Sequence, residues 1–291
     1  TVRDPGGPSF ALKRAIDEGM VVGPRIFPSG AMISQTSGHG DFRMRSEVPR
    51  SALRSLSFTE QIGAAEIADG DAQVLRRTRE QLLLGASQIK LLAGGGVASL
   101  HDHLFMESEL KMAVAAAADW GTYVMVHAYM PRSIQRAIRA GVRSIEHGQL
   151  ADEETARMMA DNDIWWSLQP FLQDEDANVY PDPVRRERQR LVAQGTANAY
   201  EFAQRFNIRT AWGTDVLFNP EKTATQGRQL AKMTRFYAAN EVLNMATKHN
   251  GELLAMAGAR NPYPGKLGVI EKGALADLLV VDGDDKPIGL N

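Results

Sequence analysis

Cysteine is missing from all 291 residues. That excludes a disulfide scaffold and thiolate metal ligands, and leaves imidazole, carboxylate or a modified lysine to hold any ion. A charge excess is missing too. With 33 basic against 35 acidic side chains and a net charge of -2, there is no field to gather phosphate backbones, so nucleic acid is not an expected partner. Long apolar runs are the third absence: MAVAAAADW (112–120) and LADLLVV (275–281) fall well short of the ~20 residues that span a bilayer, so no membrane partner is expected. No basic-then-apolar leader precedes TVRDPGG. The chain opens inside what reads as a strand, so the expectation is that upstream sequence is missing, and the compartment, cytoplasmic or periplasmic, stays open.

What is present is a composition of 44% hydrophobic and 23% charged residues, enough for one large α/β barrel or two ordinary domains. Strand-like and helix-like segments alternate. Residues 8–22 predict a helix, 24–34 a strand, 63–85 a second helix. After these come QIKLLA, ESELKMAVAAAADWG, TYVMVHA, PRSIQRAIRAG, VRSIEHG, ADEETARMMADND and IWWSLQP, strand and helix in turn. This rhythm indicates βαβ units and a parallel sheet. Residues 181–207 read as a helix broken near Gly195, IRTAWGTD as a further strand, and 226–258 as helical. Strands at 1–4, 24–34, 88–93, 122–128, 142–147, 164–169 and 208–215 number seven, one fewer than a closed (β/α)8 barrel requires. Trp165 and Trp166 alternate faces, which predicts one in the core and one pointing outward.

Four side chains able to serve a metal each end an apolar run: Lys90, His127, His147 and Asp215. Parallel strands closed into a barrel gather such residues at one mouth. His127 and His147 lie 147 − 127 = 20 residues apart, one helix with its loops, which would set the two imidazoles on successive strands. Either histidine alone reads equally as a satisfied core residue. A lysine ammonium repels metal, so Lys90 contributes only when deprotonated or converted to a carbamate; otherwise it is a strand-end lysine paired to a carboxylate. Asp215 suits a general base.

Other candidates carry weaker signals. Tyr129 is placed to donate to a substrate carboxylate or oxyanion, or simply packs. Gly94 to Gly96 would cradle a phosphate or merely permit a tight turn. Arg3 and Asp4 are expected to make structural pairs, and His249 to be a helix residue.

The segments RDPGG, SGHGD, IKLLAGGGV, VHAY, IEHG, GTD and LGVIEKGALADLLVVDGD together resemble the metal-dependent amidohydrolase superfamily, most closely its prolidase and imidazolonepropionase-like branch. The resemblance implies a (β/α)8 barrel with one or two divalent ions, zinc expected. Lys90 would be the bridging carbamate, His127 and His147 ligands, and Asp215 both ligand and proton shuttle. It lets His39 face the substrate. It assigns residues 1–258 to barrel strands 2 to 8, and 259–291, with Ala276 and Asp277, to part of a small β-sandwich. The HxH pair of strand 1 is expected upstream of Thr1; His101-Asp102-His103 falls in the loop after strand 4, where a solvated or substrate-facing role is expected.

The implied activity is hydrolysis of C–N bonds in a dipeptide with C-terminal proline or another acyl-amino acid, with cyclic amides as an alternative. Partners would be small molecules, and a homo-oligomer stays open. Two rivals remain: a Schiff-base aldolase using Lys90, which leaves both histidines unexplained, and a truncated or degenerate non-catalytic protein.

Overall fold

The computed structural model describes residues 1–44, 46–47, 56–96, 105–178, 180–216 and 220–279. Its strands are β1 (Val2–Asp4), β2 (Ile26–Pro28), β3 (Met32–Ser34), β4 (Ala65–Ile67), β5 (Ile89–Leu92), β6 (Val124–Ala128), β7 (Ser144–His147), β8 (Trp165–Leu168) and β9 (Thr210–Trp212). Every pairing is parallel. A parallel neighbour needs a crossover, and helices supply it: α1 (Phe10–Asp17), α2 (Phe58–Gln61), α3 (Asp71–Leu84), α4 (Glu107–Asp119), α5 (Pro131–Arg139), α6 (Glu153–Asp161) and α7 (Pro183–Arg205). Helices α8 (Gln226–Lys232), α9 (Ala239–Asn244) and α10 (Asn250–Ala255) follow β9.

The main sheet runs β4-β3-β5-β6-β7-β8-β9, with β1-β2 as a separate pair. That pair is stitched to the start of β5: Ser87 N donates to the Pro28 carbonyl (2.7 Å) and Gln88 Nε2 to that of Phe27 (2.9 Å). Arg3 on β1 donates to Glu146 on β7 (2.6 Å) and Ser167 on β8 (3.2 Å). These strands are not sheet neighbours of β1, so the sheet must curl to bring them together. The result is an α/β architecture with a curled, all-parallel sheet, as a barrel requires.

Strands β5 to β8 are buried at every position, as expected for parallel strands covered on both faces. One face packs against the helices through Leu91, Val126, Ile145 and Trp166. On the other, Met125, Trp165 and Ala211 meet Leu253 of α10. The expected outward tryptophan is therefore absent: Trp165 and Trp166 do occupy opposite faces, but α10 covers the second face, so both are buried.

Three other expectations are corrected. The run 24–34 is two strands, because the chain turns at Gly30 with φ +73° and enters a different sheet. The helix expected from residue 63 starts only at Asp71, since Ala65–Ile67 pairs with β3; three residues are too few to show a period of two. Helix α7 is unbroken at Gly195. Glycine is needed there for proximity, as a Cβ would lie 2.1 Å from the Gln149 carbonyl oxygen.

Among described residues 259–279 no β-sandwich is shown; the chain makes an isolated bridge, Lys266 to Ala274, and Asp277 pairs with Arg25 at 3.1 Å.

Candidate active site

Lys90, His127 and His147 lie on β5, β6 and β7, three adjacent parallel strands. Register sets His127 opposite Glu146 and next to Leu92, so by alternation Lys90, His127 and Glu146 share the sheet face turned towards Arg3. His147 should then point to the helix side with Ile145. Its backbone prevents this: at φ +75° the residue leaves extended geometry and swings its ring beside His127, with centroids 4.6 Å apart in an edge arrangement. A left-handed histidine costs on the order of 1–3 kcal/mol, and such strain marks functional sites. Asp215, just past β9, has φ +51°.

The aromatic surroundings are dense. His39 stacks on His127 at 4.3 Å, and Tyr129 stacks on His147 at 5.0 Å while meeting His127 edge-on at 5.3 Å. Phe171, beyond β8, faces the same His147 ring at 6.1 Å. The glycine run explains part of this closeness. A Cβ on Gly96 would lie 2.5 Å from the His39 ring, and the Gly95 carbonyl lies 3.2 Å from His127 Nε2, so the run lets the two histidines pack closely.

Burial sets the electrostatics. Desolvation brings the Lys90 amine down to about 8, against the opposing pull of Glu146 and Asp215. Desolvation, reinforced by the adjoining histidines and Lys90, lowers His39 to about 4 and His127 well below the usual imidazole range. His147 is also lowered by burial, partly offset by Asp215. Burial and the Asp215 charge push Tyr129 well above an ordinary phenol, so it stays protonated. Burial would raise Glu146, yet Arg3 and Lys90 outweigh it and hold the carboxyl below its usual range.

All six sequence candidates are therefore near one group. Lys90, His127, His147 and Tyr129 are buried, His39 is half-buried, and Asp215 is exposed at the rim, with its charge felt by Lys90, His147 and Tyr129. His249 lies apart in the π-helical turn Met245–His249. His101, Asp102 and His103 fall outside the described residues. Sequence reasoning missed Glu146, Gln169 and Phe171. Glu146 had a signal, a glutamate inside an otherwise apolar strand; Gln169 had none, since a strand-end glutamine is unremarkable until its partner is known.

Among the described residues no three His, Asp or Glu side chains stand together as a metal cage. The donor chemistry nevertheless fits a divalent ion. Two neighbouring imidazoles are kept neutral by burial, and a lysine whose amine is partly free near neutral pH can react with carbon dioxide to give a carboxylate-like ligand.

Known proteins resemble this chain over much of its length. Ochratoxinase from Aspergillus niger is 33% identical over 226 residues, which cover 73% of this chain and 47% of that protein; the chain thus spans about half the length of the curated relatives it matches. A prolidase solved with N-methylphosphonate-L-proline is 34% identical with a TM-score of 0.83, covering 98% of this chain and 69% of that one. A Xaa-Pro dipeptidase with methionine bound in its active site is 29% identical with a TM-score of 0.78, covering 97% and 68%. The pattern of the Amidohydrolase family matches residues 1–290, and with that match and these relatives the chain belongs to the Amidohydrolase family.

Proposed function

We propose that this chain carries the catalytic part of a metal-dependent hydrolase of C–N bonds, built on a (β/α)8 barrel, whose favoured substrates are dipeptides with C-terminal proline and related acyl-amino acids. The observation that carries the reading is the gathering of buried Lys90, His127 and His147 on three adjacent parallel strands, Lys90 within β5 and the two histidines at the ends of β6 and β7, with the lysine amine at about 8. The proline preference draws on the prolidase and the Xaa-Pro dipeptidase among the similar structures. Residues 259–291 would belong to the accompanying small β domain.

Lys90 becomes a ligand by forming an N–C bond from its neutral amine to carbon dioxide and losing one proton, which leaves a carbamate. His127, His147, this carbamate and Asp215 would hold the ion, zinc being expected. When bound, it would polarise the scissile carbonyl and make water a competent nucleophile near neutral pH. Asp215 takes the proton of the attacking water and returns it to the leaving nitrogen. Tyr129, kept protonated, donates to the substrate carboxylate or to the oxygen that gains charge as the carbonyl is attacked. His39, uncharged at the rim over His127, faces the substrate.

The test is metal content by elemental analysis together with hydrolysis of Xaa-Pro dipeptides, N-acyl amino acids and cyclic amides. Lys90→Ala should lose about 10³-fold or more in kcat/KM, about 4 kcal/mol of barrel-mouth stabilisation of the transition state. Turnover of cyclic amides alone would move the reading to the imidazolonepropionase-like alternative. A lysine with a depressed pKa also suits Schiff-base chemistry, and borohydride trapping of a carbonyl substrate on Lys90 would overturn the hydrolase. Metal-loaded protein that cleaves none of these amides would do the same.

A further inference from the structure

We infer that Gln169 is a positioning residue for His147: it holds the imidazole with its proton on Nδ1 and leaves Nε2 bare. Gln169 follows β8 and is buried, and its Oε1 lies 2.7 Å from His147 Nδ1. The amide orientation is forced by its other end. Its Nε2 donates to the Ser167 carbonyl at 3.1 Å, whereas a flipped amide would set Oε1 against that carbonyl, two acceptors face to face, and aim N–H groups at Nδ1. With the amide so fixed, Oε1 can only accept, and the ring must donate from Nδ1. A neutral imidazole has a single N–H, so Nε2 keeps its lone pair.

The same two strand ends are tied again through their backbones. Trp166 Nε1 donates to the His147 carbonyl at 2.7 Å, and Gln149 Nε2 to that of Gln169 at 3.3 Å. Ring, tautomer and left-handed backbone are thus set by β8, the strand neighbouring the histidine. The use of the bare Nε2 as a ligand rests on the proposed hydrolase; the tautomer does not.

Long-range 1H–15N spectra of histidine-labelled, metal-free protein at pH 8 read the tautomer directly. His147 should carry its proton on Nδ1. Gln169→Leu should admit the Nε2–H form and weaken zinc binding by about 10–100-fold in a titration. Should the leucine variant fail to fold, Gln169→Asn withdraws the same acceptor by one methylene, and the same loss is expected. An Nε2-protonated His147 in the unsubstituted protein overturns the inference, as does a folded Leu or Asn variant with unchanged tautomer and zinc affinity. If the tautomer is as inferred but no amide is cleaved, the hydrolase reading fails and the role of Gln169 stands.

Discussion

Two arginine–glutamate pairs of nearly equal length sit in opposite surroundings. Arg3 meets Glu146 at 2.6 Å with side chains 11% and 5% exposed, whereas Arg190 meets Glu187 at 2.5 Å with 41% and 55% exposed. Coulomb's law separates them by dielectric and not by distance. The buried pair also balances Lys90, whose ammonium feels both Glu146 and Arg3; the surface pair neutralises nothing but itself. Contact geometry alone therefore says little about what an ion pair does in this molecule.

The largest effect that tests this contrast is expected from Arg3→Met. It leaves Glu146 buried with Lys90 as its remaining cation, and should cost about 3–5 kcal/mol in denaturant unfolding; a loss under about 1 kcal/mol would put the buried pair on the same footing as the surface one. The next effect carries the contrast to glycines. Gly195→Ala places a methyl against the Gln149 backbone and should destabilise by about 1–3 kcal/mol of overpacking, less roughly 1 kcal/mol of helix propensity gained. Gly227→Ala, on α8 with nothing within 4 Å of the added atom, should stabilise by up to about 1 kcal/mol. Equal thermal shifts for the two would contradict the close approach at Gly195.

A pH-dependent effect lies between the extremes. Asp176 accepts from Arg228 (2.6 and 3.0 Å) and Lys232, which hold its carboxyl at about 2 against an ordinary 3.8. A depressed folded-state value stabilises fully above the unfolded one and is lost as pH falls through the folded one. The protein should therefore lose stability between pH 3.8 and about 2, and Asp176→Asn should flatten that limb of the stability profile. An unchanged acid limb in the variant would show that the pair is screened. The smallest effect is expected for Arg190→Ala, under about 0.5 kcal/mol and further reduced by salt.

Much of this was legible before folding. The recurrence of functional side chains in apolar runs located His127 and His147 at strand ends, which in a parallel sheet share one side, while Lys90 sits second in β5, below the strand end expected for it. The βα rhythm located β5 to β9 for the same reason, since each crossover leaves a helical period. Strand β4 left no period to read, and one of the two tryptophans read as outward because α10, which covers Trp165, lies nearly ninety residues further along. Gln169 and Phe171 gained meaning only through contact with His147, more than twenty residues earlier.

Side-chain chemistry and alternation along each strand were the sequence's to determine: which groups could bind a metal, and roughly where each would emerge. Which of them lost their water was decided by tertiary structure. Packing on both faces of the sheet took Lys90 from 10.5 to about 8 and lowered the three histidines below the ordinary imidazole range. The left-handed turn at His147 then broke the alternation that the strand would have imposed and set that ring beside His127. Both results come from neighbours brought together across the sheet, where desolvation and backbone strain depend on what surrounds a residue and not on what precedes it in the chain.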